Sequence, residues 1–139
     1  MNILDRIFTE EKREKSYRFF RLIRGLSINK NIKYRQLQSF LNEHPYVVII
    51  DVRSNQEYRE GHVSKSINIP LYELERNINK VIPNLQTEIL VYCKSGARSK
   101  KAVEKLKKKG YTNIYNIEDG IMRITTKGGY PFTSSVTLY

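Results

Sequence analysis

The sequence predicts an α/β fold built on a parallel β-sheet. Two apolar runs, residues 46–50 and 89–92, have the uninterrupted hydrophobic composition of strands that are buried on both faces. Segments with helical spacing of apolar residues lie between and after these runs, and such alternation is typical of a parallel sheet. Because binding sites in these sheets lie at the carboxyl ends of the strands, the residues that follow the two runs are the first candidates for a site.

The other elements follow from apolar spacing and from capping signals. Ser54 and Glu57 have the spacing of a capping box, which predicts the start of a short helix. Ser99 is expected to cap the helix after the second run, and Gly110 is expected to end that helix. We therefore predict helices over residues 34–41, 54–60, 71–85 with an interruption at Pro83, and 99–109, and further strands over 66–70 and 113–117. Gly61 and His62 are expected to end the second of these helices.

The amino-terminal segment differs from the rest of the chain. Over residues 1–26, apolar side chains recur at near-helical spacing and charged side chains fill the gaps. We therefore divide the chain into a basic amphipathic helical extension, residues 1–30, and an α/β domain, residues 31–139. The extension either packs its apolar side on the domain or docks on a partner or an anionic membrane surface.

Composition limits the possible environments and partners. The 139 residues carry a formal net charge of +11, which favours anionic substrates or acidic partners. A nucleic-acid partner is not expected, since the chain has no tryptophan and no aromatic–glycine pattern. No apolar run is long enough to cross a membrane, and no secretory signal is recognisable. One cysteine cannot form an internal disulfide, which predicts the cytoplasm or the reducing matrix of an organelle.

The lone cysteine, Cys93, follows the second apolar run directly. Gly96 allows a tight turn after it, and a helix begins shortly beyond. The backbone N–H groups of this turn and the positive end of the helix would then converge on the sulfur and stabilise an anion there. A free cysteine is more often a small core residue, but the polar residues that follow Cys93 place it, in our interpretation, at the end of the buried strand.

Several segments together resemble the rhodanese family. Each segment is weakly specific, whereas their order and spacing over about residues 31–132 are highly specific. The chain departs from the family pattern at Asp119, where a glycine is common, and at Ile124, where a tryptophan is common, so local repacking is expected there. The matching segments are Asp51-Val52-Arg53, Glu57-Tyr58, Gly61-His62-Val63, residues 66–70, the loop from Cys93 to Ser99, Asp119-Gly120-Ile121 and residues 129–131.

The resemblance implies a five-stranded parallel sheet flanked by helices and a sulfur-transfer reaction through a persulfide on Cys93. It implies a catalytic role for Cys93 and supporting roles for Asp51, Arg53 and His62. Asp51 and Arg53 are expected to brace the sheet edge, and His62 to stabilise a turn or, less favourably, to act as a base. The implied substrate-binding residues are Lys94, Ser95, Gly96, Ala97, Arg98 and Ser99.

Two roles remain open for Arg98: it binds the anionic substrate, or it clamps the loop to a carboxylate. Four residues separate Cys93 from Arg98, one fewer than in phosphatase-like loops, which argues against a phosphate substrate. No cofactor is expected, and His44 and His62, the only histidines, give no credible metal site.

The predicted function is a sulfurtransferase that takes sulfane sulfur from thiosulfate or a persulfide donor. Without a second cysteine, a persulfide on Cys93 must pass to an external thiophilic acceptor. The alternatives are a sulfur carrier or adaptor that serves a partner enzyme, for example in activating a ubiquitin-like sulfur carrier protein, and a non-catalytic binding module. Lysines crowd the helix after the loop and form either a solvated face or a landing site for an acidic acceptor protein: Lys100, Lys101, Lys105, Lys107, Lys108 and Lys109.

Overall fold

The computed structural model describes residues 30–122, which form one parallel five-stranded sheet flanked by helices, as predicted. The strand order is β1-β5-β4-β2-β3, so β4 lies at the centre. Short 3-10 helices, Tyr34–Gln36 and Leu71–Glu73, lead into α1 and α3. The elements are β1 (Lys30–Ile32), α1 (Leu37–Glu43), β2 (Val48–Asp51), α2 (Asn55–Glu60), β3 (Ile67–Asn68), α3 (Leu74–Val81), β4 (Ile89–Tyr92), α4 (Ala97–Lys108) and β5 (Ile114–Ile117).

Strand β1 begins at Lys30, the last residue of the predicted extension, and pairs with β5 at the edge of the sheet. The rest of the predicted helical extension lies outside the described residues. So do Ile124 and residues 129–131 of the predicted closing segment.

The alternation of side chains along β4 determines the face of the sheet to which Cys93 points. Successive side chains of a strand point to opposite faces of the sheet. Ile89 and Val91 pack into the core cluster that contains α3 and α4, whereas Leu90 and Tyr92 pack into the cluster on the α1 side. Cys93 continues the first series, so its side chain points to the face covered by α3 and α4.

Some element boundaries differ from the predictions. The helix expected to reach residue 85 ends at Val81, because the residue before a proline is disfavoured in the helical conformation and Pro83 follows closely. Strand β2 begins at Val48 rather than at residue 46, and Tyr46 is 90% exposed. Strand β1 was not predicted, since its three residues carry only one apolar side chain. Within residues 30–122, no helix is both long and apolar enough to cross a membrane.

Candidate active site

Cys93 lies at the carboxyl end of the central strand, and its sulfur receives two backbone hydrogen bonds. The N–H of Gly96 donates to Sγ over 3.1 Å, and the N–H of Ser99 donates to it over 3.3 Å. The hydroxyl of Ser99 is 3.5 Å from the same sulfur. The expected convergence of loop donors on the sulfur is therefore present, and such donors stabilise a negative charge on the atom they face.

Cys93 stands at the end of the buried strand, as expected, but its side chain is itself part of the core. Its exposed fraction is 0%, and it packs in the same core cluster as Val91 and Ala102. The strand period carries its side chain onto the helix-covered face, while the polar side chains of Lys94 and Ser95 project into solvent. Polar neighbours in sequence therefore describe the loop surface and not the cysteine beneath it.

Ser99 does not cap the helix, which corrects an expectation from the sequence. Helix α4 begins two residues earlier, at Ala97, and Gly96 occupies the N-cap position with φ +100°. Ser99 is the third helical residue and is fully buried, and its hydroxyl donates to the carbonyl oxygen of Gly96 over 3.1 Å. Its contribution to the site is the N–H that faces the sulfur.

Two glycines allow the cysteine loop to pack directly on the turn after β5. A side chain at Gly96 would overlap the carbonyl oxygen of Glu118, and a side chain at Gly120 would overlap the carbonyl oxygen of Lys94. Both glycines also have positive φ angles, +100° and +66°, which other residues rarely adopt. Neither position accepts a larger residue without a shift of the backbone.

Backbone hydrogen bonds hold the same two segments together. The N–H of Ile121 donates to the carbonyl oxygen of Cys93 over 3.0 Å, and that of Met122 donates to the carbonyl oxygen of Lys94 over 2.9 Å. These two bonds tie the segment from Gly120 to Met122 to the start of the cysteine loop. They fix the backbone directly after the cysteine.

Arg98 forms a two-pronged ion pair with Glu57 of α2. The distances are 2.6 Å from Nη1 to Oε1 and 2.9 Å from Nη2 to Oε2. Glu57 also forms the predicted capping box with Ser54. The hydrogen bond from Arg98, aided by the Ser54 contacts and opposed by burial, lowers the pKa of the Glu57 carboxyl to about 2. The same pair raises the pKa of Arg98. Two roles were left open for Arg98. This geometry matches the second of them, a clamp that holds the loop to a carboxylate.

Asp51 and Arg53 form a buried hydrogen-bonded network at the carboxyl end of β2. The guanidinium of Arg53 donates to both carboxylate oxygens of Asp51 over 2.6 to 3.0 Å, and its Nη2 also donates to the carbonyl oxygen of Gly61. The hydroxyl of Tyr92 donates to Asp51 Oδ2 over 2.6 Å. Burial and the Asp51 carboxylate raise the pKa of Tyr92, so its hydroxyl stays protonated and acts as the donor. These contacts tie β2, β4 and the residues after α2 together.

His62 lies at the turn after α2 and is buried. Its Nδ1 is 2.8 Å from the carbonyl oxygen of Tyr58, and its ring stacks on the Tyr58 ring with 3.7 Å between centroids. Among residues 30–122, no hydrogen bond joins His62 to the cysteine loop, so its geometry is that of a turn-stabilising residue. The described part of the chain also contains no group of three or more acidic, histidine or cysteine residues that could hold a metal.

The sequence analysis did not assign Glu57, Tyr92 or Gly120 to the site. Glu57 was visible as a helix-capping residue and as part of a matching segment, and Gly120 only as part of a matching segment. For Tyr92, the available signal was a phenolic hydroxyl at the end of an otherwise apolar strand, since a buried hydroxyl requires a hydrogen-bond partner.

A pocket of about 190 Å³, here called the loop pocket, adjoins the cysteine loop. One wall comes from the end of α2 and the residue after it, and another from the segment after β5. Lys94, the residue next to Cys93, contributes to the lining. The lining residues are Arg53, Glu57, Glu60, Gly61, Lys94, Ile121 and Met122.

Sequence comparisons identify relatives of this chain that are associated with sulfur. It is 40% identical over 67 residues to the thiosulfate sulfurtransferase PspE of Escherichia coli, a match that covers 48% of this chain and 64% of that protein. It is 37% identical over 79 residues to the putative sulfur carrier protein YrkF of Bacillus subtilis, covering 57% of this chain and 42% of that protein. The chain thus spans less than two thirds of each of these relatives.

Solved structures of similar fold agree with the architecture. A rhodanese-related protein from Thermoplasma volcanium is 32% identical, with a TM-score of 0.62, and the match covers 79% of this chain and 99% of that one. A rhodanese-like domain protein from Staphylococcus aureus is 29% identical, with a TM-score of 0.61, and the match covers 74% and 95%. The family model described as "Rhodanese-like domain" matches residues 34–127, which include the complete cysteine loop and most of the sheet. This chain therefore belongs to the rhodanese-like domain family.

Proposed function

We propose that this protein is a sulfurtransferase that moves sulfane sulfur from thiosulfate or a persulfide donor, through a persulfide on Cys93, to a thiophilic acceptor. The observation that carries the proposal is the convergence of the Gly96 and Ser99 N–H groups on the sulfur of the chain's single cysteine. The similarity to a protein named thiosulfate sulfurtransferase supports the choice of donor.

The proposed reaction has two displacement steps. The Cys93 thiol loses its proton to solvent, and the thiolate attacks the outer sulfur of thiosulfate. A sulfur–sulfur bond forms to Cys93, the sulfur–sulfur bond of thiosulfate breaks, and sulfite leaves with the electron pair. A nucleophilic acceptor then attacks the outer sulfur of the persulfide, and the Cys93 thiolate is released with its electron pair.

The residues around Cys93 have distinct roles in this proposal. The N–H groups of Gly96 and Ser99 stabilise the thiolate as attacking and leaving group. The first-turn N–H groups of α4, at Ala97 and Arg98, have no acceptor within the helix and are suited to the terminal sulfur. Arg98 acts by holding the loop, because Glu57 occupies its guanidinium.

The cation that meets the incoming anion is Lys94, which is exposed and adjoins Cys93. Ser95 completes the turn of the loop. Asp51 and Arg53 brace the carboxyl ends of β2 and β4, and His62 stabilises the turn after α2.

The test is the intact mass of the protein after thiosulfate treatment, followed by turnover with cyanide. The wild-type protein should gain one sulfur atom, about 32 Da, and should form thiocyanate. Cys93→Ser, a nearly isosteric change, should show neither while retaining a cooperative unfolding transition. Thiocyanate formation by this variant within tenfold of the wild type would refute the proposal.

A second candidate, a sulfur carrier for an acidic acceptor protein, is favoured by the surface of α4. The lysines on and after this helix outnumber its single glutamate, Glu104, and only Lys105 among them forms an ion pair within residues 30–122, with Glu75. The helix begins directly after the cysteine loop, so a partner docked on it would approach Cys93. A persulfide that persists in excess cyanide or small thiols would favour the carrier, whereas rapid discharge favours the enzyme.

A further inference from the structure

Exposed apolar side chains lie at the end of the domain opposite the cysteine loop. Because every pairing in the sheet is parallel, the turns that precede the strands share this end. Tyr46, in the turn before β2, is 90% exposed, and Val81 and Leu85, between the end of α3 and β4, are also exposed. Pro45 and Pro83 in the same turns are exposed as well. These five residues are here called the amino-end patch.

Hydrogen bonds hold the turns of the amino-end patch next to one another and next to the end of α4. The N–H of Val48 donates to the carbonyl oxygen of Glu88 over 2.9 Å, which joins the turn before β2 to the turn before β4. The N–H of Thr112 donates to the carbonyl oxygen of Leu85 over 3.4 Å, and the Leu85 side chain lies beside Gly110. The patch therefore continues to the end of α4.

The two helices that reach this end of the domain supply an excess of positive charge. Glu75 pairs with Lys105, and Glu88 pairs with His44. Glu43, at the end of α1, is the further acidic residue here, and residues 30–122 give it no ion pair. Four lysines have no ion pair within the same range: Lys80 in the last turn of α3, and Lys107, Lys108 and Lys109 at the end of α4.

The amino-terminal extension joins the domain at the same end. Lys30 is the first residue of β1, which runs parallel to β5. Residues 1–29 carry seven basic and four acidic side chains, and their apolar residues recur at near-helical spacing. Basic amphipathic sequences of this kind bind anionic membrane surfaces. A second element with this chemistry therefore enters the domain beside the amino-end patch.

The composition of this end favours a membrane over other macromolecular partners. Interfaces between proteins are enriched in arginine and depleted in lysine, whereas the four unpaired cations here are lysines. RNA would offer phosphates to the lysines but nothing that matches Val81 and Leu85. At a membrane surface, a tyrosine lies at the level of the headgroups, and long lysine side chains reach anionic headgroups.

We propose that the amino end of this domain binds the surface of an anionic phospholipid membrane through the amino-end patch and its four lysines. In this orientation the cysteine loop, at the carboxyl ends of the strands, faces away from the membrane and stays accessible. Because lysines supply much of the attraction, binding weakens as the salt concentration rises. The inference does not depend on the reaction at Cys93.

The test is flotation of the full chain with large unilamellar vesicles of phosphatidylcholine, with and without about 30% phosphatidylglycerol. The wild type should bind the vesicles that contain phosphatidylglycerol and should bind the others much more weakly. Replacing Lys108 and Lys109 together with glutamine should weaken binding about tenfold to thirtyfold, since each lysine near a membrane contributes roughly fivefold. The matched control replaces Lys100 and Lys101 with glutamine, because these exposed lysines lie at the other end of the same helix.

Tyr46→Ser tests the apolar contribution and should weaken binding severalfold. Tyr72→Ser is its control and should leave binding unchanged, because Tyr72 is 72% exposed but lies in the 3-10 helix after β3, at the carboxyl end of the sheet. Equal binding to the two kinds of vesicle, or equal effects within either matched set of variants, would overturn the inference. So would a lower unfolding midpoint for Tyr46→Ser with unchanged vesicle binding, since the patch would then be covered within the protein.

Hydrogen exchange of the wild-type protein provides a readout that needs no variant. Vesicles that contain phosphatidylglycerol should slow exchange in the turns before β2 and β4 and should leave the cysteine loop unchanged. Protection of the cysteine loop instead, or protection of neither region, would overturn the proposed orientation and with it the inference.

Discussion

Replacing Glu57 with glutamine tests whether the Arg98 clamp stabilises the domain. The variant keeps the size of the side chain but removes the charge that holds both guanidinium nitrogens. Folding lowers the pKa of the Glu57 carboxyl from 4.5 to about 2. At about 1.36 kcal/mol for each unit of pKa shift, this corresponds to a stabilisation of about 3 kcal/mol. Arg98 is 37% exposed, so solvent screening reduces this figure. We expect a loss of about 1–2 kcal/mol in the free energy of unfolding at pH 7.

The pH dependence of this loss provides a sharper test. Because folding lowers the pKa of Glu57, its stabilising contribution is fully present above about pH 4.5 and disappears as the pH falls through about 2. The difference in unfolding free energy between the wild type and Glu57→Gln, measured with urea, should shrink over that interval. Glu75→Gln is the control, since Glu75 pairs with Lys105 at an exposed position, and it should cost less. A Glu57→Gln loss that stays constant between pH 6 and pH 2 would refute the reasoning.

Three further predictions follow from the packing and charge of the site. Gly120→Ala should destabilise the domain by at least about 1–3 kcal/mol, because the new methyl group would overlap the Lys94 carbonyl. Gly110→Ala, also at positive φ, meets only the flexible Leu85 side chain and should cost less in urea unfolding. Tyr92→Phe should cost about 1–3 kcal/mol, since it leaves the buried Asp51 carboxylate without one donor; an unchanged urea midpoint would contradict this. The kcat/KM for thiosulfate should fall with added salt, as the Debye length shrinks from about 30 Å at 0.01 M to about 10 Å at 0.1 M. Reversing Lys94, Lys100 and Lys101 to glutamate should flatten or invert this dependence, and a wild-type kcat/KM that is independent of salt would show that these lysines only solubilise the surface.

Local sequence patterns were sufficient to predict the strand and the helix start that carry the site. The apolar run at residues 89–92 predicted β4 at its observed bounds, because a strand buried on both faces needs an apolar side chain at every position. The capping-box spacing of Ser54 and Glu57 predicted the start of α2, since its hydrogen bonds join residues only three positions apart. The placement of Cys93 at a strand end beside a glycine-containing turn followed from the same short-range signals.

The surroundings of the cysteine loop depend on contacts between distant parts of the chain. Arg98 meets Glu57 across 41 positions in the sequence, and Gly96 lies against Glu118, so neither partner was visible in the local pattern. The complete burial of Cys93 depends on the packing of α4 and on the turn of the loop over the sulfur, although its polar neighbours pointed to a boundary. The sequence by itself therefore determined the strands, the capping box and the position of the nucleophile, because these depend on residues close in the chain. Only the tertiary structure decided which groups surround the sulfur, because those groups come from segments that meet on folding.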